Sequence, residues 1–130
     1  MVKLLRTRAA QATKKTPTVR FRMRVTLGDQ VAIGPGKVEL LEAIREHGSI
    51  SAAARSMDMS YRRAWVLLDE TNRALKSPAT TTAQGGKSGG GAKLTPTGEK
   101  IVALYRDIEK VSAAASARQL AALLRLLAGL

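Results

Sequence analysis

From Val19 the chain alternates. Val19, Phe21, Met23 and Val25 fall on one side of an extended backbone, and Arg20, Arg22 and Arg24 on the other. Period two with β-branched and aromatic members predicts a half-buried strand with a solvated arginine face. Gly34-Pro35-Gly36 breaks that pattern, and the period then changes. Val38, Leu40, Leu41 and Ile44 recur at helical spacing, with Glu39, Glu42, Arg45 and Glu46 on the outer positions. This helix is expected to stop at His47-Gly48, because a glycine just past a helix accepts the left-handed backbone cheaply.

Ser49-Ile50-Ser51 leads into a short, small-faced run from Ala52 to Met57. A serine hydroxyl at a helix start accepts a bond from an otherwise orphaned backbone N–H. Asp58-Met59 interrupts the run, and Ser60 offers a second cap for a longer amphipathic stretch. The spacing predicts Tyr61, Ala64, Trp65, Leu68 and Asn72 on one side, with Arg62, Arg63, Val66, Asp69 and Arg73 on the other. Two capped helices around a turn holding an apolar residue, Met59, predict a helix-turn-helix. Ala53 and Ala54 allow the two helices to cross closely. A helical hairpin in a bundle has the same periodicity. The exposed Arg62-Arg63 pair favours the helix-turn-helix, because the N-terminal end of the second helix is the end that enters a major groove.

After Leu75 the chain becomes polar and glycine-rich through SPATTTAQGGKSGGGAK. A flexible linker has this composition. Here, however, Thr80-Thr81-Thr82 and Lys93-Leu94-Thr95 bracket the segment as short strands, which predicts a wing. Gly86-Lys87-Ser88 resembles part of a phosphate-binding loop. Thr81 stands where that motif needs its first glycine, and Gly89-Gly90-Gly91 stand where its helix belongs, so a nucleotide site is excluded. Thr95-Pro96 then opens a helix, with threonine as cap and proline in the first turn. Its apolar stripe runs through Ile101, Leu104, Tyr105, Ile108, Val111 and Ala115, and resumes at Leu120, Leu123, Leu124, Leu127 and Leu130. Unbroken, such a helix reaches roughly 45–50 Å and leaves apolar surface for another chain. The alternative is a local turn near 112–116 that folds the leucine-rich end back.

Charge sharpens this picture. With 22 Lys and Arg against 10 Asp and Glu, the net charge is +12, which attracts polyanions. There is no cysteine, so disulfides, thiolate zinc sites and thiol nucleophiles are absent. No cofactor is expected. His47, the single histidine, has no carboxylate or nucleophile partner near it in sequence and reads as a helix-end residue. With no nucleophile–base pair or metal cluster, an enzyme is not expected. No apolar run approaches the ~20 residues that span a bilayer, and residues 1–18 read as a basic disordered arm rather than a secretory signal. A cytoplasmic location is expected, with no membrane partner.

GPGKVELLEAIREHGSISAAARSMDMSYRRAWVLLDETN, followed by GGKSGGGAKLTPTGEKIVALY, closely resembles the N-terminal domain of the molybdate-responsive ModE family of bacterial transcription regulators. The match covers about residues 19–112. Its most specific parts are the GSIS-to-SYRRAW spacing and the GGK-GGGA-LT wing. The LTPTGE string also resembles the wing-to-helix junction of LysR-type regulators. The resemblance implies a winged helix-turn-helix fold; with the helical pattern above, the expected architecture is mainly α with a small β component, a winged helix-turn-helix domain over 19–112 with a long C-terminal helix, and a helical extension over 113–130 whose apolar stripe serves dimerisation. The resemblance also implies a homodimer on a palindromic double-stranded DNA operator. Sensor-bearing family members carry further β-rich domains that bind molybdate. The chain ends at Leu130 without them, so molybdate is not expected to bind it. Ser88 interrupts a usually longer glycine run, and threonines replace an arginine expected before the wing.

By position, Ser60, Tyr61, Arg62 and Arg63 begin the recognition helix, and Gly85 to Thr95 form the wing. Arg62 or Arg63 is expected to donate bidentate bonds to guanine O6 and N7. Tyr61, sharing a face with Trp65 and Leu68, is expected to contact phosphate or pack inward. Ser49 and Ser51 suit a phosphate, and Lys87, Lys93 and Thr95 suit wing contacts with phosphate or the minor groove. Two other readings compete. In one, the wing cradles an oxyanion such as molybdate through its backbone N–H groups. In the other, the chain is a nonspecific nucleoid-type protein.

Overall fold

A computed structural model of the chain describes residues 15–83 and 90–129. Gly28, at φ +58, and Asp29 turn the backbone between strands β1 (Val25–Leu27) and β2 (Gln30–Ile33). The left-handed conformation there suits a residue without a Cβ. The strands pair antiparallel, Thr26 opposite Val31 and Leu27 opposite Gln30, with an irregularity between Val25 and Thr26. The strand expected from Val19 therefore starts only at Val25. β2 gives way to a helix after Ile33 and offers nothing for residues 19–24 to pair with. Of the inward set expected from the alternation only Phe21 and Met23 are half-buried; Val19 and Val25 are exposed, as are Arg20, Arg22 and Arg24.

The chain forms two compact units. One spans Arg22–Ile108, and the other comprises, among the described residues, 15–21 and 109–129. In the first, α1 (Pro35–His47) starts with Pro35 in its first turn and ends at Gly48, φ +78, whose N–H reaches the Ile44 carbonyl at 2.8 Å. Its Val38, Leu40, Leu41 and Ile44 are fully buried. Burying each aliphatic side chain contributes about 1.5–3 kcal/mol, so this face anchors the unit. Lys37, also buried, donates to the Val31 carbonyl and lies 3.4 Å from Glu70, tying β2 to helix α3 (Tyr61–Ala74). Between them lies α2 (Ile50–Ser56), whose buried Ala53 and Ala54 and α3's buried Ala64 carry only methyl groups.

Both expected caps are present. Ser49 Oγ accepts the Ala52 N–H at 3.1 Å, and Ser60 Oγ accepts that of Arg63 at 3.0 Å. Asp58, at φ +54, makes the turn between α2 and α3, and Met59 is half-buried against the core. β3 (Thr80–Thr82) and β4 (Ala92–Leu94) pair antiparallel as the wing, Thr81 opposite Lys93. The protein is thus mainly α with two small antiparallel strand pairs, a winged helix fold. α4 (Pro96–Ala115) opens at Thr95, whose Oγ1 accepts the Gly98 N–H at 3.1 Å. It buries Gly98, Val102 and Tyr105, and the Tyr105 hydroxyl donates to the Met23 carbonyl at 2.9 Å.

In the second unit α4 stops at Ala115, and Ser116 separates it from α5 (Ala117–Leu124). The Ser116 hydroxyl donates back to the Ser112 carbonyl at 2.7 Å, the same carbonyl that accepts the Ser116 N–H at 3.0 Å. The C-terminal stripe is therefore not one unbroken helix, and the interruption falls in the 112–116 segment where the alternative reading placed a turn. α4's 20 residues reach about 30 Å. No residue of α5 is buried.

Candidate nucleic-acid interface

α3 presents four different sides. Ala64, Leu68 and Thr71 are buried, with Leu67 and Leu75 packed partly against the same core. At about 100° per residue, the direction opposite that face is occupied by Arg62, Val66, Asp69 and Arg73. Asp69 and Arg73 pair at 3.0 Å. Arg62 and Arg63 are exposed, neither has an ion-pair partner among the described residues, and the helix's first turn holds no acid. They are not equivalent, however. Arg62 lies near the centre of the outward side, whereas Arg63 lies on the flank shared with Glu70.

The opposite flank carries Tyr61 and Trp65, and here the structure corrects the sequence reading. The spacing groups both with buried Leu68, yet Tyr61 is 54% and Trp65 49% exposed, so of the two expectations for Tyr61, inward packing does not hold and phosphate contact stays open. The core accepts Ala64, Leu67, Leu68 and Thr71 instead, which turns the buried arc away from Tyr61 and Trp65. The two aromatics border an open cleft of about 410 Å³ whose other described walls are Ser49, Ile50, Ser51, Thr82, Ala83, Gly90 and Gly91. Three separate elements meet there: the start of α2, the start of α3 and the root of the wing.

Hydrogen bonds fix the wing root to the helices. The Ala92 N–H donates to the Gly48 carbonyl at 2.9 Å, and the Ala83 N–H to that of Gly91 at 2.8 Å. Asn72 accepts the Ala79 N–H at 2.8 Å and donates to Thr80 Oγ1 at 3.2 Å. Of the residues singled out from sequence, Ser49, Ser51 and Tyr61 line this cleft, with Arg62 on the adjoining outward side. Ser60 serves as α3's cap. Lys93 is exposed on β4 and borders a neighbouring hollow beside Gly48 and Thr81 to Ala83. Thr95 lines neither. Its hydroxyl donates to the Pro78 carbonyl at 2.6 Å while accepting the Gly98 N–H, so both functions serve the junction. Lys87, with Gly85, Gly86 and Ser88, lies outside the described residues, as does the part of the expected arm before residue 15.

Sequence reading missed Trp65, Thr82, Gly90 and Gly91 as walls of this cleft. The available signal was the i, i+4 spacing of Tyr61 and Trp65 beside Arg62, but period alone leaves the rotation of the helix undetermined by one residue or more. Among the described residues no group of His, Asp or Glu is arranged to hold a metal ion, and no helix is long and apolar enough to cross a membrane.

No protein-family model matches the chain. Individual relatives do. It is 52% identical over 77 residues to the molybdenum-pterin-binding protein MopB of Rhodobacter capsulatus, covering 59% of this chain and 28% of that protein. The molybdenum transport protein ModE of Azotobacter vinelandii is 40% identical over 92 residues, covering 69% of this chain and 34% of the relative. The DNA-binding transcriptional dual regulator ModE of Escherichia coli K12 is 35% identical over 83 residues, covering 64% and 32%. The matched segment thus spans about a third or less of each relative's length.

Proposed function

We propose that this chain is a ModE-type module that binds duplex DNA sequence-specifically, as a homodimer on a palindromic site, within a transcription regulator. The observation that carries the reading is the start of α3. A serine-capped, acid-free first turn puts exposed, unpaired Arg62 on the outward side of the second helix of a helix-turn-helix, beside a wing rooted on the same scaffold. The net charge of +12 and the similarity to the DNA-binding transcriptional dual regulator ModE of Escherichia coli K12 support it.

Basic residues neutralise phosphates and release counterions, which gives affinity without sequence preference. In this reading, Arg62 supplies specificity through bidentate bonds to guanine O6 and N7, a contact worth ~1–3 kcal/mol of discrimination. Arg63 contributes from the flank. Lys93 takes a phosphate, and the hydroxyls of Ser51 and Tyr61 donate to the backbone that passes the cleft. Ser49 keeps its O–H as a donor while its oxygen accepts from Ala52. Ser60 acts through the helix it caps.

The decisive experiment selects bound duplexes from random oligonucleotides, then compares Arg62→Ala and Arg63→Ala on the selected and on random DNA. Each variant is expected to lose far more on the selected site. Equal losses on both DNAs would assign these arginines to backbone contact alone, and a failure to enrich any sequence would leave a nonspecific nucleoid-type protein.

An oxyanion reading draws on the hydroxyl-rich cleft and its glycines. The described walls of that cleft include no cation to balance a doubly charged anion. Titration of the chain with molybdate in a calorimeter is expected to release no heat.

A further inference from the structure

We infer that Trp65 reads the 5-methyl group of a thymine one or two base pairs from the base that Arg62 contacts. The inference rests on the DNA-binding reading above and assigns a specificity-determining residue within it.

Trp65 is the chain's only tryptophan, and half of it is exposed on a helix that buries Ala64 and Leu68 completely or nearly so. Tyr61 stands one turn before it, also half-exposed, so the two rings form a continuous apolar flank beside Arg62. The flank borders the open cleft at the wing root, and the first turn of α3 is free of acids. A cationic neighbour and a strongly basic chain favour a polyanionic partner over an apolar protein surface.

On a major-groove floor, the one apolar feature that distinguishes base pairs is the thymine methyl group. An indole has a single N–H donor and no acceptor, so it is poorly equipped to read N7, O6 or amino groups, whereas its carbon face suits a methyl. Position follows from helix geometry. Trp65 lies three residues beyond Arg62, about 4.5 Å along the axis, and base pairs are spaced at about 3.4 Å. The thymine therefore lies one or two base pairs from the guanine that Arg62 reads.

The test uses the full chain and its selected duplex, with each thymine replaced in turn by deoxyuridine, which lacks only the methyl. One symmetric pair of positions is expected to weaken binding about 4-fold per site, the value of one buried methyl. Trp65→Ala is expected to bind thymine and uracil duplexes equally at that position, and Trp65→Gln, which keeps a long polar side chain, does the same if the alanine variant folds poorly. As the sole indole, Trp65 should be quenched by acrylamide in the free chain and shielded in the specific complex.

Specific binding that ignores every uracil replacement, or a uracil effect that persists in both variants, overturns the inference while leaving the DNA-binding reading intact. Absence of any preferred duplex overturns both.

Discussion

Asn72 holds Ala79: its Oδ1 accepts the Ala79 N–H at 2.8 Å, while its Nδ2 donates to Thr80 Oγ1 at 3.2 Å. One side chain on the last turn of α3 therefore fixes where the first wing strand begins. Ala79 is fully buried, so its N–H has no water to turn to. Leaving a buried donor unpaired costs about 1–3 kcal/mol. Asn72→Ala should lower unfolding stability by about 2 kcal/mol on that basis, measured in urea. Asn72→Asp keeps the acceptor for Ala79, gives up only the Thr80 bond, and should lose less.

Gly98 lies against the same residue from the other side. A Cβ added there would collide with the Ala79 carbonyl, and backbone cannot move aside as a flexible side chain can. Propensity alone predicts that Gly98→Ala stabilises α4 by about 1 kcal/mol. Overpacking a close contact costs about 1–3 kcal/mol, so the clash should win. A melting temperature below that of the parent is expected. A raised one would show that α4 and the wing root can separate freely.

These two contacts mark how far the sequence could be read. Turn and cap chemistry is local, so Gly48, Ser49, Ser60 and Thr95 announced their helix ends, and the threonine and lysine strands of the wing were legible from their bracketing positions. Partners distant in the chain were not. Nothing in Val19–Arg24 reveals that no strand among the described residues pairs with it, and the hairpin through Gly28-Asp29 is hard to see because its strands are only three and four residues long. The candidate site was half visible. Arg62 and the two serines stood out by type and spacing, but exposure of Tyr61 and Trp65 depends on how α3 rotates against the core. The core takes Ala64, Leu68 and Thr71, a choice that α3's own pattern does not single out.

Glu42 and Arg106 form a two-pronged ion pair, with Nε to Oε2 at 2.9 Å and Nη2 to Oε1 at 2.5 Å. The hydrogen bonds from Arg106 hold the Glu42 carboxyl below its ordinary value, aided by the Arg106 and Arg45 charges and opposed by partial burial. Between the folded and unfolded values the unfolded chain binds more protons, so stability rises with pH through that window. The contribution is complete above the ordinary carboxylate value and lost as pH falls through the lowered one. Arg106→Gln should therefore cost about 1 kcal/mol at pH 7, the upper range for a partly solvated pair, and much less in acid, once the Glu42 carboxyl is protonated in the folded chain as well. An equal cost at both pH values would mean that Arg106 acts by packing alone.

The outward side of α4 bears on assembly. Leu104, Ile108, Val111 and Ala115 follow one another at i, i+4, i+7 and i+11, a spacing that keeps them on one stripe, apart from buried Val102 and Tyr105. All four are exposed. A two-fold symmetric pairing of such stripes would cover them and set two recognition helices against half-sites about one DNA turn apart, ~34–36 Å. The chain should then sediment as a dimer at micromolar concentration, and the double change Leu104→Lys and Ile108→Lys should yield a monomer. Because both side chains already face water, that change should shift monomer stability by only about 0.5 kcal/mol. Its effect on DNA should be larger: linked half-sites gain about 10²–10⁴-fold over one. The variant should lose most of that gain on a palindrome yet bind an isolated half-site as the parent does. A parent chain that sediments as a monomer and binds DNA one to one would remove the α4 stripe from the assembly.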